Sequence, residues 1–204
     1  MDDLKISTFV LGSLETNVYI VSSKSAKKAF IIDLPAEFKS VLNYINKENL
    51  EISFILITHA HFDHIGGLNL LDLPFYLHRK DLPLLYDPNL NGSSFFDEEI
   101  SIKKEPIFYD SSLHFLDYTI EVIHTPGHTP GSVSLKLNNW LFTGDTLFYD
   151  TIGRTDIPLA SYDELLNSIN KKILTLPKST IIYPGHGKDT TLERELKYNP
   201  FLKA

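Results

Sequence analysis

The segment Thr58–Gly67, THAHFDHIGG, places three histidines and an aspartate within the six positions His59–His64, directly after the apolar run ISFILI. Single histidines are commonly surface or satisfied core residues. Four potential ligands at H-x-H-x-D-H spacing are not accounted for in that way. The feature also constrains the fold. A short apolar strand must end where the imidazoles begin, so a polar loop at a strand terminus has to carry them.

Other strand-like segments end in the same manner. VIH leads to TPGHT, WLF to TGD and TIIY to PGHG. Layered α/β proteins commonly assemble sites from loops at one sheet edge. Further strands are expected at Ile6–Val10, Asn17–Val21, Ala29–Ile32, Thr119–Ile123, Ser132–Leu137, Trp140–Thr143 and Thr180–Tyr183, with turns at Gly12-Ser13 and Asn138-Asn139. The ISFILI strand is expected to be buried on both faces. Phe38, Val41, Leu42 and Ile45 form an amphipathic helical stripe. Gly66-Gly67 should precede a short helix toward Leu71. Ser161 to Glu164 reads as a capping box that opens a helix with Leu165, Leu166, Ile169 and Ile173 on one side. Residues 84–105 read as a long loop, either a binding loop or a surface insertion.

At 204 residues the chain is expected to form one domain, 1–204. Nineteen basic against 26 acidic residues give a net charge of -7, which argues against nucleic acid as a partner. No stretch has the apolar length of a membrane span, and the acidic N-terminus does not read as a signal peptide. A cytoplasmic monomer or homodimer acting on a small molecule is the expectation. There is no cysteine, so metal ligands must come from His and carboxylates.

His128 in TPGHTPGS, Asp145 in FTGDT and His186 in YPGHG are outlying candidates, each in a glycine-containing loop after a strand. Together with His59, His61, Asp63 and His64 they offer more ligands than one zinc ion takes. The surplus argues for two divalent metal ions, zinc first, with iron or manganese also compatible with the donor set. His78, His114 and His124 fall outside these motifs and read as structural or surface residues. Thr58 and the nearby glycines read as residues that shape the site.

In the order THAHFDHIGG, TPGHTPGS, FTGDTLF and YPGHG, the motifs resemble those of the metallo-β-lactamase fold, over almost the whole chain. GDTLF, GRTD (Gly153–Asp156) and the ending TTLERELKYNPFL resemble the glyoxalase II-type branch in its short bacterial form. The resemblance implies a four-layer αββα sandwich. It implies one metal on His59, His61 and His128, a second on Asp63, His64 and His186, and Asp145 bridging both. Two such cations about 3.5–4 Å apart share a water and lower its pKa from 15.7 toward about 7. The expected activity is hydrolysis of S-lactoylglutathione or a related thioester by a metal-bridging hydroxide, with Asp63 and Asp145 as the catalytic carboxylates. Full-length glyoxalase II enzymes carry a further helical domain with basic residues, for which this chain has little room. Arg154, Lys188 and Tyr149 are the candidate substrate contacts, although Arg154 can equally pair with Asp156. Phe95 and Phe96 read as pocket-wall or core residues. The alternative is a mononuclear-iron oxidoreductase resembling the persulfide dioxygenases, with iron on His59, His128 and Asp145. A lactonase or β-lactamase is the more distant option.

Overall fold

The computed structural model describes residues 3–202. The chain packs into two compact units, Met1–Leu77 with Pro83–Ile107, and His78–Leu82 with Phe108–Ala204.

The first unit begins with an antiparallel hairpin, β1 (Leu4–Leu11) and β2 (Thr16–Ser23). Its turn is closed by Glu15 N–H donating to the Gly12 carbonyl at 3.2 Å. β3 (Lys28–Ile32) pairs antiparallel with β2, and the chain then crosses through α1 (Lys39–Glu48) to β4 (Glu51–Leu56), parallel to β3. In the helical stripe Phe38 and Val41 are buried, and Asn49 ends the helix in the left-handed region. A single helical turn, α2 (Phe62–Ile65), follows, and then a 3-10 turn over Leu68–Leu70. β5 (Phe75–Leu77) pairs parallel with β4. After α3 (Leu82–Tyr86) and a 3-10 turn at Ser93–Phe96, β6 (Ile107–Phe108) completes a six-stranded sheet in the order β1-β2-β3-β4-β5-β6.

Three sequence expectations change here. The strand buried along its whole length is β2, all eight residues of it. In β4 only Ile55 and Leu56 are buried, because its first half carries Glu51 and Ser53. The short helix expected beyond Gly66-Gly67 is the 3-10 turn Leu68–Leu70, and a further turn, α2, forms inside the histidine motif, with the Gly66 N–H bonded to the Phe62 carbonyl at 2.9 Å. The 84–105 segment is not structureless. The buried Asn91 side chain donates to the carbonyls of Leu84 (3.0 Å) and Ile100 (2.7 Å) and accepts from Ser93 N–H, so one amide knits the segment together. Phe95 and Phe96 lie outside the core, 71% and 48% exposed, with the Phe96 ring 4.9 Å from that of Phe62.

The second unit holds β7 (Ser112–Phe115), β8 (Tyr118–His124), β9 (Val133–Leu137) and β10 (Trp140–Gly144) as an antiparallel run. The β9–β10 turn uses Asn138 at φ 56°, the conformation expected of asparagine there. A two-stranded ribbon, β11 (Leu147–Phe148) and β12 (Thr151–Ile152), precedes α4 (Tyr162–Ser168). The Ser161 hydroxyl caps α4 by accepting from Glu164 N–H at 3.3 Å, and a π-helical turn over Ile169–Ile173 extends it. β13 (Ile181–Pro184) runs parallel to β10, and β14 (Thr190–Thr191) leads into α5 (Leu192–Tyr198). The sheet order is β14-β13-β10-β9-β8-β7. Leu141, Leu147, Ile152, Leu165, Ile169, Ile173, Ile182 and Leu192 form its core. Truncating one of these to alanine removes about 2–5 kcal/mol.

The pairing has a direct consequence. β8 and β10 are each antiparallel to β9, and β13 is parallel to β10. The three strands therefore end at the same sheet edge. TPGHT, TGD and PGHG all leave from that edge.

Candidate metal centre

In the first unit, β4 delivers Thr58 and His59, an extended His61 begins α2, and Asp63 and His64 lie within its single turn. A helical turn places neighbours on different sides, so Asp63 and His64 are fixed by backbone geometry rather than by chance rotamers. The ligand atoms of His59 lie within 4.8 Å of those of His61 and of His64, and those of Asp63 within 4.8 Å of those of His64. His59 and His64 are fully buried and His61 nearly so.

Asp33 organises this cluster and was not singled out from sequence. It follows β3 with φ 58°, a left-handed conformation that aspartate tolerates better than most residues. Its Oδ1 accepts from Thr58 N–H at 2.8 Å, and its Oδ2 lies 2.8 Å from both Thr58 Oγ1 and His64 Nδ1. Thr58 Oγ1 in turn lies 3.1 Å from His59 Nδ1. The hydroxyl donates to Asp33, so it accepts from His59 Nδ1–H, and His64 Nδ1–H donates to the same carboxylate. One buried aspartate thereby fixes the tautomer of two histidines and leaves both Nε2 atoms as lone-pair donors, the state a cation requires. Separately, Thr16 Oγ1 donates to Asp63 Oδ2 at 2.7 Å. The signal for Asp33 was present. FIID is another apolar strand ending in a polar group, like the four endings already noted.

In the second unit, the three strand ends carry His128, Asp145 and His186. His128 Nδ1 lies 2.9 Å from the Arg154 carbonyl and donates to it, which places the ring's lone pair on Nε2. Asp145 Oδ2 is 3.4 Å from His128 Nε2 and 3.5 Å from His186 Nε2. Those separations are too long for good hydrogen bonds. They suit one carboxylate oxygen set between two imidazoles that face cations. The backbone at Asp145 is held by close packing against Gly153. A Cβ at that glycine would fall 1.9 Å from the Asp145 carbonyl oxygen. The donor types, imidazoles with carboxylates beside them, suit divalent cations.

The expected substrate contacts meet different fates. Arg154 is exposed and forms a bidentate pair with Asp156 at 2.8 and 3.0 Å, which holds the Asp156 carboxyl below its ordinary range. The pairing alternative is the one realised, and Arg154 serves His128 through its carbonyl. Tyr149 lies between two cations, with Arg194 at 3.4 Å and Lys188 at 3.6 Å from its ring. Arg194 also pairs with Asp150 at 2.8 and 2.9 Å. A buried Glu195 accepts from Thr190 Oγ1, Arg194, Asp150 N–H and Asn199, and it ties α5 to the Tyr149 loop. His114 is exposed. His78 and His124 stack at 4.0 Å with rings 9° apart, in keeping with a structural role.

Among the described residues no helix is long and apolar enough to cross a membrane. The metallo-beta-lactamase superfamily profile matches residues 11–186, a span containing both clusters. The chain is 38% identical over 204 residues to a probable metallo-hydrolase of Bacillus subtilis, YqgX, covering 95% of each. It is 34% identical over 199 residues to the hydroxyacylglutathione hydrolase GloC of Haemophilus influenzae, covering 87% of this chain and 89% of that one. Among solved structures it is similar to the BLEG-1 B3 metallo-beta-lactamase, with 40% identity, a TM-score of 0.92, and 98% and 100% of the two chains covered. It is also similar to TTHA1623 in a di-iron-bound form, with 35% identity, a TM-score of 0.82, and 96% and 100% covered. With histidine-carboxylate clusters suited to metal in each unit and relatives aligned along nearly their whole length, this chain belongs to the metallo-β-lactamase superfamily and has its mixed α/β fold.

Proposed function

We propose that the two units act as one hydrolase domain that holds two divalent cations and cleaves a small acyl thioester. His59, His61 and His128 would hold one cation, Asp63, His64 and His186 the other, with Asp145 shared. The observation that carries this reading is Asp145 Oδ2, set almost equally between His128 and His186 at 3.4 and 3.5 Å. When bound, such cations lower the pKa of water and polarise the substrate carbonyl.

The chain's own groups supply the rest. Asp33 and Thr58 orient His59 and His64. Thr16 holds Oδ2 of Asp63, and the Asp63 carboxylate takes a proton from the attacking water. Water adds to the thioester carbonyl carbon, the C–S bond breaks, and the sulfur leaves as a thiol with a proton returned through Asp63. Lys188, with its ammonium against Tyr149, is the side chain we assign to an anionic part of the substrate. The thioester class draws support from the similarity to GloC, and two-metal occupancy from the similarity to a protein solved in a di-iron-bound form.

The similarity to a B3 metallo-beta-lactamase favours one competing reading, β-lactam hydrolysis. Untagged protein with its metal quantified should be assayed against S-lactoylglutathione and a chromogenic cephalosporin in parallel. A kcat/KM above about 10⁴ M⁻¹s⁻¹ on the thioester, and far less on the cephalosporin, is expected. The reverse order would transfer the assignment to β-lactams. Oxygen uptake with a persulfide by protein holding a single iron would overturn the hydrolase reading altogether.

A further inference from the structure

We propose that Asp81 is a positioning residue for His128, holding the loop that presents this imidazole. The inference rests on His128 being a metal ligand.

Asp81 ends the 3-10 turn Arg79–Asp81, far upstream of the loop, and is fully buried. Its Oδ2 accepts from Thr129 Oγ1 at 2.8 Å and its Oδ1 from Gly131 N–H at 2.6 Å. Thr129 is the residue after His128. Because the Thr129 hydroxyl proton goes to Asp81, its oxygen receives the proton of Ser132 Oγ, 2.8 Å away. Ser132 Oγ then accepts from Thr129 N–H at 3.0 Å. The carboxylate thus sets the direction of each hydrogen bond across the loop. The fit is close. A Cβ on Gly131 would fall 2.6 Å from Asp81 N, Cγ and Oδ1, so only glycine lets the loop reach the carboxylate.

The same turn braces the other end of the loop. His78 stacks on His124, whose Nε2 lies 2.8 Å from the Pro130 carbonyl. Both ends of the His128 loop therefore rest on residues His78–Asp81. Burying a carboxylate is costly. Ordinary loop closure does not need one, because Thr125 N–H already bonds the Ser132 carbonyl at 2.8 Å. What the carboxylate adds is a fixed place for Thr129, and so for the His128 backbone. From there Nδ1 reaches the Arg154 carbonyl and Nε2 faces Asp145 Oδ2 at 3.4 Å.

Asp81→Asn keeps the shape but offers an NH₂ where one acceptor oxygen stood. Stepwise Zn²⁺ affinities should be measured by chelator competition on the full chain, with denaturant midpoints, kcat and KM. One of the two binding steps should weaken about 10–100-fold while the other moves less than about threefold, and kcat should fall with KM held. Equal weakening of both steps, or lower stability with metal binding intact, would overturn the positioning role. If Asp81→Asn does not fold, Thr129→Val removes the hydroxyl's bond to Asp81 together with its contact to Ser132 and should weaken the same step by a smaller factor; unchanged binding there would count against the proposal. His128→Ala separates the two claims. If it leaves both binding steps unchanged, the ligand assignment fails first and the positioning role falls with it.

Discussion

The two units arrange their candidate metal ligands in opposite ways. The first takes four candidates from one short stretch and orients two of them through a single carboxylate, Asp33. The second takes three from three separate loops, with the Arg154 carbonyl supporting His128, Gly153 packed against Asp145, and the Gly185 N–H bonded to the Gly144 carbonyl beside His186. The first design is economical and fragile, since one change disturbs two ligands. The second is dispersed over three loops, with Gly153 packed against both Asp145 and His128.

The largest expected effect comes from Asp33→Ala. It strands the Thr58 N–H, the Thr58 hydroxyl and the His64 Nδ1–H in a buried place, at about 1–3 kcal/mol for each donor left unmatched. Alanine also tolerates the left-handed backbone less well. Denaturant unfolding should show a loss of several kcal/mol, on the order of those terms combined, and competition assays should show both metal-binding steps weakened. If only one step weakens, Asp33 does not couple His59 and His64 in the way described.

That contrast explains what was legible in the sequence. The H-x-H-x-D-H cluster announces itself because its ligands are neighbours in the chain. His128, Asp145 and His186 were legible as strand-end residues with glycines beside them. Their meeting at one edge, however, depends on β8, β10 and β13 running the same way, and strand direction is a property of pairing rather than of local pattern. Most strands and both main helical stripes were read correctly because hydrophobic periodicity is local. Asp33, Asp81 and Glu195 were missed for the complementary reason. Each is a single acid whose importance comes from partners far away in sequence, such as Thr58 for Asp33 and Thr129 for Asp81. The 84–105 segment reads as a loop in sequence because one buried amide, Asn91, ties it together where no hydrophobic periodicity marks it.

Metal removal tests whether the two designs meet in function. Ions present at 100 times their Kd stabilise the folded chain by about 2.7 kcal/mol, so chelation should lower Tm in wild type and change it much less in Asp145→Asn. That variant should also lose more turnover than the roughly 10–100-fold typical of an outer supporting residue. Near-normal activity with full metal content in Asp145→Asn would remove the shared-carboxylate assignment.

Gly153→Ala comes next in size. Its methyl would meet the Asp145 carbonyl at 1.9 Å, and relief of such overpacking typically costs about 1–3 kcal/mol. The dispersed design predicts that Asp145 shifts while the cluster in the first unit keeps its tautomers, which the His59 and His64 ring nitrogen shifts in NMR would report. Equal disturbance of both clusters would break the comparison.

The smallest effect concerns pH. Burial, helped by the charges of His124, Lys80 and Lys172, lowers the His78 pKa from 6.5 to about 4. The unfolded chain therefore binds this proton at a higher pH than the folded one. Stability from this group is complete above about pH 6.5, the ordinary histidine value, and is lost as pH falls toward the folded value of about 4. His78→Phe keeps a ring against His124 and removes the titration. A plot of Tm against pH should be shallower in the variant than in wild type across that window. Parallel curves would mean that the stacked pair carries no such linkage.

The turn at His78–Asp81 has one more consequence, and it concerns the order of events along the chain. Asp81 bonds to residues 48 and 50 positions downstream. Closing a loop of that length costs about 3.5 kcal/mol of chain entropy beyond a constant, from the logarithmic scaling of closure with length. As the chain emerges from synthesis, Asp33, Thr58, His59 and His64 are all present before the downstream loop exists. The first cluster can take its shape while the upstream turn still waits for the segment that it will hold. Within the second unit, the His128 loop is therefore a late arrival by construction, and its ligand is ready only once a contact across some fifty residues has closed.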